Sequence, residues 1–397
     1  MKHAWLGEIA ILSATRTPIG AFRGAFANVA APLLGGAAIR GALARARVTP
    51  SDVTDVLMGN VIQAGLGQEP GRQAAFAAGC QSSVRTVTIN KVCGSGLQAV
   101  VDGARQLACE AGGIIVAGGM ENMTAAPYLL PKARGGYRLG NGQVVDSLIH
   151  DGLWDPYNDI HMGKCAEQCA QKFAFTRERQ DAYAIESFRR ANAAQKDGRS
   201  ADEITPVDVT DAKGVVTRVE HDEGPGKVRY DKIASLRPSF QEDGTITPAN
   251  ASSISDGAAA LVLAAGPSVK DRGLKSLARI TAFGAHAQDP VWFTTAPVQA
   301  AQNALDFAGW RVEDVDLWEV NEAFAVVPMA FMQELGVPHE KLNVRGGAIS
   351  LGHPIGASGA RILVTLIAAL AERGAKRGLA AICIGGGEGL AVCVEMA

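Results

Sequence analysis

Apolar and polar positions follow two registers along this chain. Short continuous apolar runs at residues 8–13, 55–58, 114–117 and 259–264 have the length of strands buried on both faces. Between them, over 34–46 and 97–111, apolar residues recur at helical spacing. Strands alternating with helices over most of a chain predict an α/β architecture.

The same pattern occurs twice. ARARVTPSDVTDVLMGN, closing at Asn60, and LDFAGWRVEDVDLWEVN, closing at Asn321, share one order of helix end, turn, acidic residue, apolar strand and asparagine. CGSGLQAVVDGARQLACEAGGIIVAGG parallels GASGARILVTLIAALAERGAKRGLAAICIGG, each a glycine turn, a long helix and a buried strand ending in glycines. DGAAALVLAA at 256–265 matches EGLAVCVEMA at the carboxy terminus. In the second copy the glycines run directly into the last strand, whereas in the first well over a hundred residues intervene. The expected organisation is a first half at 1–120 plus 251–272, an inserted loop domain at 121–250, and a second half at 273–397. The insertion is richer in charge, with one clear helical part over 163–195, and long insertions on such scaffolds usually carry binding surfaces.

Composition narrows the class. The 38 Lys and Arg against 40 Asp and Glu leave a net charge of −2, which argues against a nucleic-acid or membrane-surface binder. No run reaches the roughly 18 apolar residues of a membrane span. The amino terminus lacks a proper signal core, and VEMA at the carboxy terminus is no peroxisomal address. Seven scattered cysteines in so long a chain read as free thiols of a reducing compartment, the cytoplasm. The 46 glycines in 397 residues exceed the usual share of about 7% and imply tight turns and close helix–sheet packing.

Four positions could carry chemistry. Cys93, in NKVCGSGLQAV, stands at the head of an expected helix, where the dipole and free N–H groups would lower its pKa and make its own N–H an oxyanion donor. On position alone it reads equally as a small buried residue. His353, in GGAISLGHPIGASGAR, lies on a glycine-dense loop, and a neutral imidazole beside a thiol is the usual activating base. A lone loop histidine is otherwise a surface or capping residue. Cys383 ends an apolar strand, at the position that the repeat aligns with 115–116, where α/β sheets carry their sites; in a strand it reads otherwise as inert. Asn321 ends another strand and could orient a water or cap a helix.

Together, NKVCGSGLQAV, NEAFA, GGAISLGHPIGASGAR and CIGGGEG resemble the thiolase family, specifically its acetyl-CoA C-acetyltransferases. TRTPIGAFRGAF, GGMENMTAAPYLLPKAR and HMGKCAE extend the resemblance nearly end to end. It implies duplicated βαβαβαββ halves in a five-layer αβαβα arrangement with an inserted loop domain. It also implies a ping-pong Claisen condensation of two acetyl-CoA to acetoacetyl-CoA, or the reverse thiolysis. In that chemistry Cys93 carries the acetyl group and His353 takes its proton. His353 and a water on Asn321 form one oxyanion hole, the Cys93 and Gly385 N–H groups form the other, and Cys383 moves the α-proton.

The same resemblance places coenzyme A against Leu153, His161, Met162, Phe240, Ser252, Ile254, Ala323 and Phe324. It needs no metal and no cofactor beyond the thioester substrate, and it suggests a homotetramer with PYLLPKARGGYR as an assembly loop. The sequence departs from the pattern in three places. Phe293 stands where short-chain enzymes commonly have Met, and CAEQ replaces AEN after HMG. The stretch HDEGPGKVRYDKIASLRPSF leaves Lys227, Arg229 or Lys232 as candidates for the phosphates. The alternatives are a 3-ketoacyl-CoA thiolase of broader or longer acyl range, a decarboxylating ketosynthase, which would want a histidine at Asn321, and a non-catalytic CoA- or lipid-binding scaffold.

Overall fold

A computed structural model describes residues 9–110 and 112–397. Residue 8 of the first expected strand, the residues before it, and Ala111 at the end of an expected helix lie outside the described residues. Nine strands run along one sheet: β1 (Ile9–Arg16), β2 (Asp55–Gly59), β3 (Arg85–Ile89), β4 (Ile114–Asn122), β5 (Ser255–Ala265), β6 (Ala278–Ala287), β7 (Leu317–Val320), β8 (Arg377–Ile384) and β9 (Glu388–Met396). Their spatial order is β7-β8-β9-β6-β1-β5-β4-β2-β3.

The order states the duplication. β2-β4-β5-β1 and β7-β8-β9-β6 are the same four strands read outward to centre. In both, the first pair is parallel and the next two are antiparallel. β3 adds an edge strand parallel to β2, and its counterpart shrinks to a single parallel bridge between Trp318 and Leu342. Within the sheet, the described residues join the halves through two residue pairs, Ala10–Arg279 and Ile11–Ala278.

Six main helices complete the layers: α1 (Ala31–Ala46), α2 (Ser95–Glu110), α3 (Met162–Lys172), α4 (Arg177–Lys196), α5 (Ala296–Ala308) and α6 (Ile355–Arg373). Strand side chains alternate between faces, and that alternation sorts the core. Ile9, Ile11, Leu261, Leu263, Ile382 and Val392 join α2 and α6 in the central layer. Ala10, Leu12, Val262 and Ala264 turn the other way, toward α1. Leu379, Ala381 and Cys393 turn toward α5. The two halves of the sheet pack on either side of α2 and α6, so helix, half-sheet, paired helices, half-sheet and helix make five layers. By length and hydropathy α6 could cross a membrane, yet 83% of its most apolar window is buried inside the fold.

The single helical part expected over 163–195 is two helices. Ala174 adopts a left-handed φ of 51°, and Thr176 then caps α4 by accepting from the Arg179 N–H. Both helices belong to the chain between β4 and β5. That segment leaves the sheet at Asn122 and returns beside it, Asn122 pairing with Asp256. In the second half only residues 385–387 separate β8 from β9. Arg16 fastens the excursion to β1 through buried ion pairs with Glu203 at 2.8 Å and Asp222 at 2.7 Å.

Candidate active site

The chemistry-bearing residues sit where α2 and α6 begin. These helices cross at Gly96 and Gly359. A Cβ on Gly96 would stand 2.8 Å from the Ala360 N, and one on Gly359 2.5 Å from the Leu97 N. Only hydrogen at both positions lets the two backbones touch, and the contact brings the residues ahead of each helix together.

Cys93 enters from the turn after β3. Val92 takes a left-handed φ of 46°, a strained state for a β-branched residue. The turn is pinned from both sides: Ser95 Oγ accepts from the Lys91 N–H at 2.8 Å and donates to the Val92 carbonyl at 2.6 Å. The thiol is buried, and burial pushes its pKa up to about 11. Hydrogen bonds from the Gly385 N–H and from its own N–H pull the other way and do not prevail. The expectation that the helix head would lower this pKa is therefore corrected: desolvation of the charged form outweighs the N–H groups that reach the sulfur.

His353 is held just ahead of α6. Its N–H donates to the Ser253 carbonyl at 3.1 Å. Nδ1 lies 2.5 Å from Ser358 Oγ, whose hydroxyl donates to the Pro354 carbonyl at 2.9 Å. That network assigns the proton to Nδ1 and leaves Nε2 an acceptor. Asn321 Nδ2 approaches Nε2 at 3.5 Å. Burial, then the Arg361 guanidinium, push the ring down to about 3, so it is a neutral base.

Asn321 follows β7, its N–H bonded to the Ala381 carbonyl at 3.0 Å. Its Oδ1 is buried with no hydrogen-bond partner among the described residues. Cys383 is fully buried near the end of β8, its thiol pushed well above the usual range by burial and then by the nearby Cys93 and Cys169. Sheet register also corrects its place in the repeat. Gly59 pairs with Gly119 and Val320 with Ala381, each just before its asparagine, so Cys383 corresponds to Glu121 rather than to 115–116. The glycine runs of the two copies are offset from the strand register.

A cavity of about 330 Å³ opens over Cys93 and His353. All eight residues expected at coenzyme A line it: Leu153, His161, Met162, Phe240, Ser252, Ile254, Ala323 and Phe324. The His161 ring stacks on Phe240 with centroids 4.8 Å apart, and its Nδ1 accepts from the Gly163 N–H at 3.0 Å. Phe293 lines the same wall and meets Phe324 edge-on. A second cavity of about 160 Å³ shares Gly152, Met162 and Phe293 with the first and reaches Gly385.

Asn321 and Cys383 do not line the main cavity; they reach it through His353 and Cys93. The candidate phosphate ligands stay away from it. Lys227 pairs with Glu223, while Arg229 and Lys232 lie beside Asp231. Ser358, Met123 and Ile355 belong to the site and escaped the sequence reading, although Ser358 stands in a quoted motif five residues after the histidine. Among the described residues, no group of three or more His, Cys, Asp or Glu could hold a metal.

Known proteins share this chain's sequence and fold. The family models "Thiolase, N-terminal domain" and "Thiolase, C-terminal domain" match residues 9–266 and 274–396. Acetyl-CoA acetyltransferase 2 of Arabidopsis thaliana is 49% identical over 391 residues, 98% of this chain and 97% of its own. Acetyl-CoA acetyltransferase of Pseudomonas aeruginosa is 48% identical, covering 97% and 98%. Among solved structures, Acat5 thiolase from Ascaris suum in complex with coenzyme A superposes with a TM-score of 0.93 at 43% identity, over 98% of this chain and 100% of the other. The acetyl-CoA acetyltransferase of Bacillus anthracis gives 0.96 at 38% identity, with 99% of each chain covered. Duplicated halves, paired helix heads and these matches lead to one assignment: the chain belongs to the thiolase family.

Proposed function

We propose that the protein is an acetyl-CoA C-acetyltransferase, which condenses two acetyl-CoA to acetoacetyl-CoA and CoA through an acetyl-Cys93 intermediate, or runs the reverse thiolysis. One observation carries the reading: a thiol and an unprotonated imidazole open onto one cavity whose walls suit a pantetheine chain. A thiol with a pKa near 11 is ionised in only about one molecule in 10⁴ at pH 7. Attack on the thioester therefore proceeds with proton transfer from Cys93 Sγ to His353 Nε2. The Gly385 and Cys93 N–H groups, already directed at the sulfur, receive the developing oxyanion. Each such donor is worth roughly 3–4 kcal/mol in the transition state.

Collapse of that oxyanion intermediate expels the CoA thiolate, which leaves with the proton of Cys383. In the second half-reaction the resulting Cys383 thiolate removes a proton from the methyl group of the incoming acetyl-CoA. The enolate oxygen is met by protonated His353 Nε2 and by a water donating to it, and the unpartnered Asn321 Oδ1 supports holding that water. Carbon–carbon bond formation at the acetyl carbonyl expels the Cys93 thiolate, which regains its proton from His353 Nε2 and restores both groups. No cofactor beyond the thioester takes part. A cytoplasmic setting is supported by the seven free cysteines, and the reaction fits fatty acid metabolism.

The test is mass spectrometry of the protein incubated with acetyl-CoA. One acetyl group is expected on Cys93 in the wild type and none in Cys93→Ala. Label on Cys383 instead would sink the assignment of roles. A broader 3-ketoacyl-CoA range is favoured by one observation, the cavity behind Met162 and Phe293. Thiolysis rates on acetoacetyl-CoA against 3-ketohexanoyl-CoA separate the two readings.

A further inference from the structure

Glu121 is fully buried at the end of β4 and lines neither cavity. Its two carboxylate oxygens accept four hydrogen bonds. Oε1 takes the Asn60 side-chain amide at 2.8 Å and the Ile62 N–H at 3.3 Å. Oε2 takes the Val61 N–H at 3.0 Å and the Gly356 N–H, also at 3.0 Å. The first three donors belong to the first half. Gly356 belongs to the second, in the opening turn of α6 and three residues after His353. Pro354, which precedes that helix, offers it no side-chain cap, so the acceptor crosses from the other half.

The duplication gives this contact a meaning. By register Glu121 is the counterpart of Cys383, since Glu121 pairs with Gly257 and Cys383 with Gly389 in the matching last strands. At the helix crossing Gly96 meets Ala360 and Gly359 meets Leu97. That reciprocity makes Gly356, three before Gly359, the counterpart of Cys93, three before Gly96. The Gly356 N–H is thus the copy of the Cys93 N–H. Where the second half's strand offers a thiol and room for an acyl oxygen, the first half's copy is filled by its own carboxylate. Asn60 stands to Glu121 as Asn321 stands to Cys383, and its Oδ1 is likewise without a partner among the described residues.

We infer that Glu121 is a positioning residue: by occupying the duplicate of the acyl site it anchors the head of α6 across the two halves and so sets His353 against Cys93. The inference rests on the proposed roles of Cys93 and His353. Burial pushes the Glu121 pKa up to about 7 against the pull of the Val61, Ile62 and Gly356 N–H groups. Four converging donors nevertheless favour the carboxylate, and an amide would turn its own N–H groups on two of them.

The test is Glu121→Ala, assayed for thiolysis with and without formate, a carboxylate small enough for the space vacated. The expected result is a fall in kcat of about 10²-fold, the loss that follows an error of about 1 Å in a reacting pair. KM for CoA should hardly move, and formate should restore much of kcat without helping the wild type. If Glu121→Ala does not fold, Glu121→Gln keeps the volume while spoiling two hydrogen bonds, and the same loss of kcat at constant KM is expected. Wild-type kcat in either variant overturns the inference. So does a folded variant whose KM rises in step with its loss and which formate leaves unchanged. Failure of the underlying roles is distinguishable, since the wild type itself would then carry no acetyl group on Cys93.

Discussion

At the residue scale the site works with neutral partners. With Cys93 pushed up to about 11 and His353 down to about 3, neither group titrates between those limits. A free cysteine ionises near 8.5, so its alkylation rate levels off above pH 9. Here the rate of Cys93 alkylation by iodoacetamide should keep rising about tenfold per pH unit through pH 10. A plateau near pH 8.5, read by peptide mapping, would mean that the thiol is pre-ionised after all. The sign follows from burial, and burial is what the sequence withheld. NKVCGSG and HPIGASG marked which residues to examine. The raised pKa instead comes from burial in a core where Cys93 packs with Ile355 and Ile384, which are remote in sequence.

At the element scale the two crossing helices decide where the reacting atoms stand. Helix interiors normally prefer alanine to glycine by about 1 kcal/mol. At Gly359 that preference should reverse, because the new Cβ would sit 2.5 Å from backbone that cannot turn aside. Gly359→Ala is expected to unfold at lower urea concentration than the wild type and to lose activity as Cys93 and His353 part. A variant both more stable and fully active would show that the crossing has slack. The repeat itself was legible, because each half keeps its asparagine-ended strand and its glycine-headed helix. The break between α3 and α4 was not, since Ala174 carries no sign of a left-handed φ. The register of Cys383 escaped too, because strand pairing, not glycine spacing, sets it.

At the scale of the whole molecule, β3 is an exposed edge. Val87 is half exposed, Tyr128, Leu130 and Tyr137 stand out on the loop expected to serve assembly, and Leu139 and Val144 stand out just after it. An open edge strand beside an active site invites a second copy, and we propose a homotetramer built from two such pairs. Sedimentation should report that mass for the wild type. Val87→Lys, which puts charge on the edge, should shift it toward smaller species. A wild-type monomer at micromolar concentration would refute the proposal.

The excursion between β4 and β5 leaves and re-enters the sheet at neighbouring residues, Asn122 and Asp256. It carries Leu153, His161, Met162, Phe240, Ser252 and Ile254, most of the cavity wall expected to hold substrate, whereas Cys93, Asn321, His353 and Cys383 all stand on the duplicated scaffold. Recognition and reaction are thus inherited on separable pieces of chain. Mutation can redraw what is admitted without touching how bonds are made, and an excursion transplanted from a relative would bring its own substrate preference with it.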